Sequence, residues 1–158
     1  VVQLGELSAI VLDVGGHTLG HVAYWFREAR TCFVGDSLFA LGCGRLFEGS
    51  PEQMQKSLAR LRDLPDDTEI YCAHEYTAAN ARFALSVDPD NAALRQYADE
   101  VSRKRAAGDP TVPTTIAREK VANPFLRWDD AGLRARLGLA DAGDVAVFAK
   151  VRQMKDAF

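Results

Sequence analysis

The stretch Cys32-Phe33-Val34-Gly35-Asp36-Ser37-Leu38-Phe39 constrains the chain more than any other. Cys32-Phe33-Val34 reads as a buried strand that breaks at Gly35, and apolar residues resume directly after the acid. A carboxylate held between buried apolar residues needs compensation for its lost hydration. A bound cation is the usual one, and histidines elsewhere would then complete its coordination. The chain has three histidines, His17, His21 and His74, each directly after a segment that reads as a strand or turn.

At 158 residues the chain can bury an ordinary domain core. Its formal charge of −3, from 19 basic and 22 acidic residues, gives no electrostatic basis for binding nucleic acid or an anionic membrane. No apolar run approaches the roughly 20 residues needed to span a bilayer. Cys32, Cys43 and Cys72 are odd in number and form no C-x-x-C pair, which fits a reducing, cytoplasmic setting better than a disulfide framework. The opening Val1-Val2-Gln3-Leu4-Gly5 resembles the interior of a strand and turn, so the chain is expected to begin mid-protein.

Residues 7–14 are β-branched and apolar enough for a strand ended by Gly15-Gly16, and 21–26 and 30–34 suggest two more, together a meander. Ser50-Pro51-Glu52-Gln53 is a helix start, with Met54, Leu58 and Leu61 on one face. A turn near Leu64-Pro65 leads to a short strand, Glu69–Cys72, ending at His74. Strand, helix and strand with candidate ligands at strand ends describe an α/β layer. The remainder reads as helical, with Thr77, Asn91 and Asp144 as capping residues and Leu94, Tyr97, Ala98 and Val101 in helical spacing. A shift in composition between residues 80 and 90 is the one plausible boundary.

His17, Asp36 and His74 all stand just beyond predicted strands, whose ends converge on one edge of a layered sheet. Two neutral imidazoles and a carboxylate suit zinc, iron or manganese. Taken singly, each has an ordinary reading: a turn histidine is most often a hydrogen-bonded surface residue, and Gly-Asp after a strand is most often a turn. Three together shift the balance.

His17-Thr18-Leu19-Gly20-His21, Gly35-Asp36-Ser37-Leu38-Phe39, the turn Gly42 to Gly49 and His74-Glu75-Tyr76-Thr77 resemble, in order, the motifs of glyoxalase II (hydroxyacylglutathione hydrolase), of the metallo-β-lactamase superfamily. Asn80, Asp90-Asn91-Ala92-Ala93, residues 110–115 and residues 123–127 resemble its helical C-terminal domain. The His-Thr-x-Gly-His and Gly-Asp motifs specify only the superfamily, whereas the turn and the tail are more specific. The resemblance implies an α/β fold: the second half of a metallo-β-lactamase αβ/βα sandwich at 1–78, then a helical glutathione-binding domain at 79–158. It implies hydrolysis of the thioester S-D-lactoylglutathione to D-lactate and glutathione by a metal-bridged hydroxide. Two divalent metal ions, zinc or else iron or manganese, would be held by His17 on one, His74 on the other and Asp36 between them. His21 would be structural and Cys43 a packing residue. Arg45, Arg152 and Lys155 would hold the glycine carboxylate of glutathione, Tyr76 its peptide part, and Phe47 stands where many relatives carry Tyr.

The superfamily's Thr-His-x-His-x-Asp-His motif is absent. The chain is therefore expected to be the C-terminal portion of a longer enzyme, inactive alone, with an exposed sheet face that invites the missing N-terminal half or a self-dimer. Two other readings remain open at this point: a mono-iron persulfide dioxygenase-like enzyme, and a non-catalytic module that binds glutathione conjugates.

Overall fold

In the computed structural model, which describes residues 1–158, a mixed sheet packs one face against helices. Four strands, β1 (Val2–Leu4), β2 (Leu7–Asp13), β3 (Val22–Phe26) and β4 (Thr31–Gly35), form an antiparallel meander, the three expected strands preceded by β1. A small hairpin follows, β5 (Leu38–Phe39) and β6 (Gly42–Cys43), then helix α1 (Pro51–Arg62). The chain returns as β7 (Glu69–Cys72), parallel to β4, and β8 (Thr114–Thr115) closes the order β1-β2-β3-β4-β7-β8. Two hydrogen-bonded neighbours running parallel require a crossover, and α1 supplies it.

Helices α2 (Thr77–Val87), α3 (Ala92–Ala107), α4 (Ile116–Ala122), α5 (Ala131–Arg136) and α6 (Asp144–Ala157) make up the second half. The side chains of Ser50 and Asn91 accept the amides of Gln53 and Leu94, satisfying orphan N–H groups at a gain of about 1 kcal/mol each. Two caps differ from expectation. Thr77 is the first residue inside α2, where its hydroxyl meets that of Thr111, and Asp144 lies inside α6, where it pairs with Arg134 after Gly143 takes the cap. A carboxylate in a first turn still favours the helix dipole. The hairpin, β8 and α5 carry too few residues for periodicity to announce them.

One apolar core spans both halves. Ala23, Cys32, Val34 and Ile70 from the sheet meet Met54, Leu58 and Leu61 of α1, Phe83 of α2, Ile116 of α4 and Val147, Phe148 and Val151 of α6. The pleat sends alternate residues to the opposite face, where no helix lies. There Val11, Tyr24 and Phe33 align across the sheet at 37%, 40% and 46% exposure, and Phe33 stacks on Tyr71 at 5.2 Å.

A second, smaller cluster joins Leu41 of the hairpin tip to Ala81, Ala84, Leu94, Tyr97, Val101 and Ala122. Beside it lies Glu119, fully buried, accepting from the Leu41 amide (2.8 Å), the hydroxyls of Thr114 (2.7 Å) and Tyr97 (3.2 Å), and Asn123 Nδ2 (2.8 Å). Burial raises its pKa above the usual 4.5, outweighing those four donors. Between 4.5 and the raised value the folded state holds more protons than the unfolded chain, so this group's contribution falls as pH rises through that window. Glu119→Gln removes the decline. Melting temperatures from about pH 4 to about pH 8 should therefore show a Gln variant that gains on the wild type with rising pH and converges with it in acid.

Candidate active site

Gly35 turns the chain out of β4 in the left-handed region, with φ +56°. A Cβ there would lie 2.5 Å from His21 Nε2, so only glycine admits both the turn and the imidazole. His21 Nε2 accepts the Asp36 amide at 2.9 Å, which puts the ring proton on Nδ1, facing Thr18 Oγ1 at 3.4 Å. His21 is thus the structural histidine, and what it holds is the backbone of Asp36.

His17 Nδ1 donates to the Arg45 carbonyl at 2.8 Å. A carbonyl can only accept, so the neutral ring keeps a free lone pair on Nε2, which points toward Asp36 Oδ2 at 4.0 Å. On the other side His74 Nε2 lies 3.0 Å from Asp36 Oδ1. The carboxylate therefore stands between two imidazole nitrogens, one for each oxygen. This donor chemistry suits a divalent ion. The three are not yet a closed centre: no group of three or more His, Cys, Asp or Glu side chains is arranged to hold a metal ion.

All eight residues singled out in the sequence line one cavity of about 460 Å³: His17, Asp36, Arg45, Phe47, His74, Tyr76, Arg152 and Lys155. Phe39, Cys43 and Asn80 also line it. Phe39 and Asn80 lie in the family-like motifs without a site role assigned from sequence; the hairpin brings in Phe39 and α2 brings in Asn80. Tyr76 stacks on His74 with ring centroids 4.7 Å apart, and Phe47 lies 5.0 Å from His17.

The cations differ in freedom. Arg45 is exposed, its Nε 3.6 Å from Asp156 Oδ1. Arg152 is only 5% exposed and donates to the Cys43 carbonyl (3.0 Å) and to Asp156 (2.8 Å), with Nε buried and unpartnered. Lys155 lies 5.1 Å from the Phe83 ring, and burial, with the nearby Arg152, Arg82 and Arg45 charges, depresses its pKa. Cys43 is buried, which pushes its thiol up to about 11 despite Arg152, so it is inert packing. On the segment after His74, burial raises the Glu75 carboxyl, but the Thr111 hydroxyl and amide and Arg105 bring it below its ordinary value, tying this loop to the helical half.

Residues 75–158 match the family profile of the hydroxyacylglutathione hydrolase C-terminus and residues 1–74 that of the metallo-β-lactamase superfamily. Among solved structures, ETHE1 from Myxococcus xanthus superposes with a TM-score of 0.59 at 25% identity, covering 96% of this chain and 48% of that one. TTHA1623, solved in a di-iron-bound form, gives 0.50 at 28% identity, covering 75% and 42%. The fold is that of the metallo-β-lactamase superfamily, which implies divalent metal ions. The hydroxyacylglutathione hydrolase of Maricaulis maris is 61% identical over 158 residues, all of this chain and 62% of the relative. That of Methylococcus capsulatus is 56% identical over 156 residues, 99% of this chain and 61% of the relative. The chain belongs to the hydroxyacylglutathione hydrolase family and spans about 60% of the length of these relatives.

The close approach behind Asp36 gives a direct test. A Cβ on Gly44 would fall 1.9 Å from the Asp36 carbonyl oxygen, so Gly44→Ala must displace one of the two backbone segments. Urea unfolding should show a loss of about 2 kcal/mol, whereas Gly20→Ala, whose Cβ meets nothing within 4 Å, leaves the midpoint unchanged.

Proposed function

We propose that this chain is the C-terminal portion of a hydroxyacylglutathione hydrolase that cleaves S-D-lactoylglutathione to D-lactate and glutathione. The observation that carries the reading is the Asp36 carboxylate between His17 Nε2 and His74 Nε2, in a cavity whose other wall bears Arg45 and Lys155. His17 and His74 would each hold one divalent ion and Asp36 would bridge the two, with zinc the best match to imidazole and carboxylate and iron or manganese also compatible. Bound ions of this kind polarise a carbonyl and lower the pKa of water to near neutrality. In the reaction the water oxygen joins the acyl carbon, the C–S bond breaks, and the thiol leaves with a proton.

The chain's own side chains bind and orient the substrate. Arg45 and Lys155 receive the glycine carboxylate of glutathione, and Arg suits that geometry. Arg152, committed to the Cys43 carbonyl and Asp156, contributes its field and holds the wall. The Tyr76 hydroxyl serves the peptide part, while Phe39 and Phe47 shield the thioester from bulk water. Phe47 has no hydroxyl to offer, which leaves the substrate one hydrogen bond fewer than a Tyr would give.

The remaining metal donors come from a segment outside this chain, equivalent to the rest of the relatives' length. The aromatic face of Tyr24, Phe33 and Tyr71 with Val11 is apolar enough to seat that segment. The two halves, divided near residue 78, then share one core and both build the cavity: the first supplies the metal donors and Arg45, the second Arg152 and Lys155.

The reading is tested by assaying S-D-lactoylglutathione hydrolysis and metal content, with zinc, iron or manganese supplied, for this chain alone and for the protein in which the preceding segment is joined to it. Little metal and little turnover are expected from the chain alone. The joined protein should turn over, and Asp36→Ala should lower kcat/KM by at least about a thousandfold. Oxygen consumption in place of thioester hydrolysis, or unchanged turnover in Asp36→Ala, overturns the reading.

A further inference from the structure

The tip of the β5–β6 hairpin is enclosed: residues 38–44 are all buried, among them Leu38, Phe39, Ala40, Leu41 and Cys43. Buried backbone groups need partners, and here three side chains of the helical half supply them. Asn80 Nδ2 donates to the Ala40 carbonyl at 3.1 Å. Asn123 Nδ2 donates to the Gly42 carbonyl at 3.1 Å and lies 3.3 Å from that of Phe39. Glu119 takes the Leu41 amide. Leu41 is itself in the left-handed region, with φ +57°, a conformation leucine holds only when its surroundings impose it.

The hairpin connects the two kinds of residue in the cavity. Asp36 precedes it and Arg45 follows it, with the Gly44 amide donating to the Ser37 carbonyl at 3.0 Å. Phe39 on its first strand packs against Tyr76 at 5.3 Å and His74 at 6.0 Å. The Cys43 carbonyl on its second strand holds Arg152. Asp36, by contrast, is held separately by His21, and His17 by its own bond to the Arg45 carbonyl.

We propose that Glu119, together with Asn123, is a positioning residue for the substrate wall: by seating Leu41 it sets where Phe39 and Arg152 stand in the cavity. Neither residue lines the cavity, so the action is through the hairpin. The seat requires acceptors for the Leu41 amide and Asn123, plus a group that the Thr114 and Tyr97 hydroxyls can meet as donors or acceptors. A glutamine meets those needs, its carbonyl toward Leu41 and Asn123 and its amide toward the hydroxyls. A leucine of similar size meets none of them and leaves the Leu41 amide unpaired.

The inference rests on the glutathione thioester reading, so its test has one readout that needs no turnover. The protein is the joined form, compared as wild type, Glu119→Gln, Glu119→Leu and Leu133→Ala, the last a core substitution on α5 outside the hydrogen bonds that seat the hairpin. Amide hydrogen exchange over residues 38–43 should quicken about tenfold in Glu119→Leu and stay near wild type in Glu119→Gln and Leu133→Ala. In steady state, KM for S-D-lactoylglutathione should rise about tenfold in Glu119→Leu with kcat within about threefold, because Asp36 keeps its own support. Glu119→Gln should restore KM, and Leu133→Ala should lower the melting temperature without moving KM. The proposal fails if exchange over the hairpin is unchanged in Glu119→Leu, or if KM rises equally in Leu133→Ala at equal loss of stability. If the wild type itself does not hydrolyse the thioester, the functional reading fails, and the exchange data still decide whether Glu119 seats the hairpin.

Discussion

A fully buried carboxylate with four donors and no cation in direct contact is an expensive thing to fold around, and much of the molecule is arranged to satisfy it. Glu119 comes from α4, its partners from the hairpin tip, α3, β8 and the residue that ends α4. Removing any one donor would leave polar atoms unpaired in a fully buried site. The same network decides which backbone conformation the tip adopts, and the tip decides which side chains face the cavity. Stability and the shape of the candidate site are set by one set of hydrogen bonds.

Charge is distributed with similar economy. The cavity wall gathers Arg45, Arg152 and Lys155 in a chain whose net charge is negative, and Asp156 alone offsets them, touching both arginines. Arg152 and Lys155 are partly desolvated, which strengthens their electrostatic field relative to water, whereas Arg45 stays exposed. The opposite wall presents His17 and His74, and the Arg45 carbonyl chooses which ring nitrogen of His17 carries the proton. The cavity thus has a cationic end and an imidazole end, connected by the hairpin.

The sheet explains why the two faces of the molecule differ so much. Its helix-covered face is closed by α1 and α6, whose apolar stripes are legible as helical periodicity. Its other face repeats aromatic and β-branched residues in register across β2, β3, β4 and β7, yet nothing in the chain lies on it. A strand cannot choose to be apolar on one side only when both sides are built for packing.

Much of the architecture was legible in the sequence because the interactions that make it are local. Ser50-Pro51 starts α1, the meander follows from alternation and turn residues, and Gly35 before Asp36 announces a break that only glycine tolerates. His17, Asp36 and His74 were identified from their places after strands and the other five candidates by resemblance to a family's motifs, and the fold brings all eight to one cavity. Thr77 and Asp144 were misjudged as caps by one residue, since a capping side chain and a first-turn side chain are chemically alike. Phe39, Asn80, Glu119 and Asn123 were not legible as a unit. They lie up to 84 residues apart, as the contact from Asn123 to Phe39 does, and each alone is an ordinary helix or strand residue. The sequence determined the elements, the glycine turn and the candidate donors, because those depend on backbone conformation and side-chain type within a few residues. Only the tertiary structure decided the hairpin's seat, the protonation pattern of His17 and His21, and the freedom of each cation, because these depend on which distant polar atoms burial forces together.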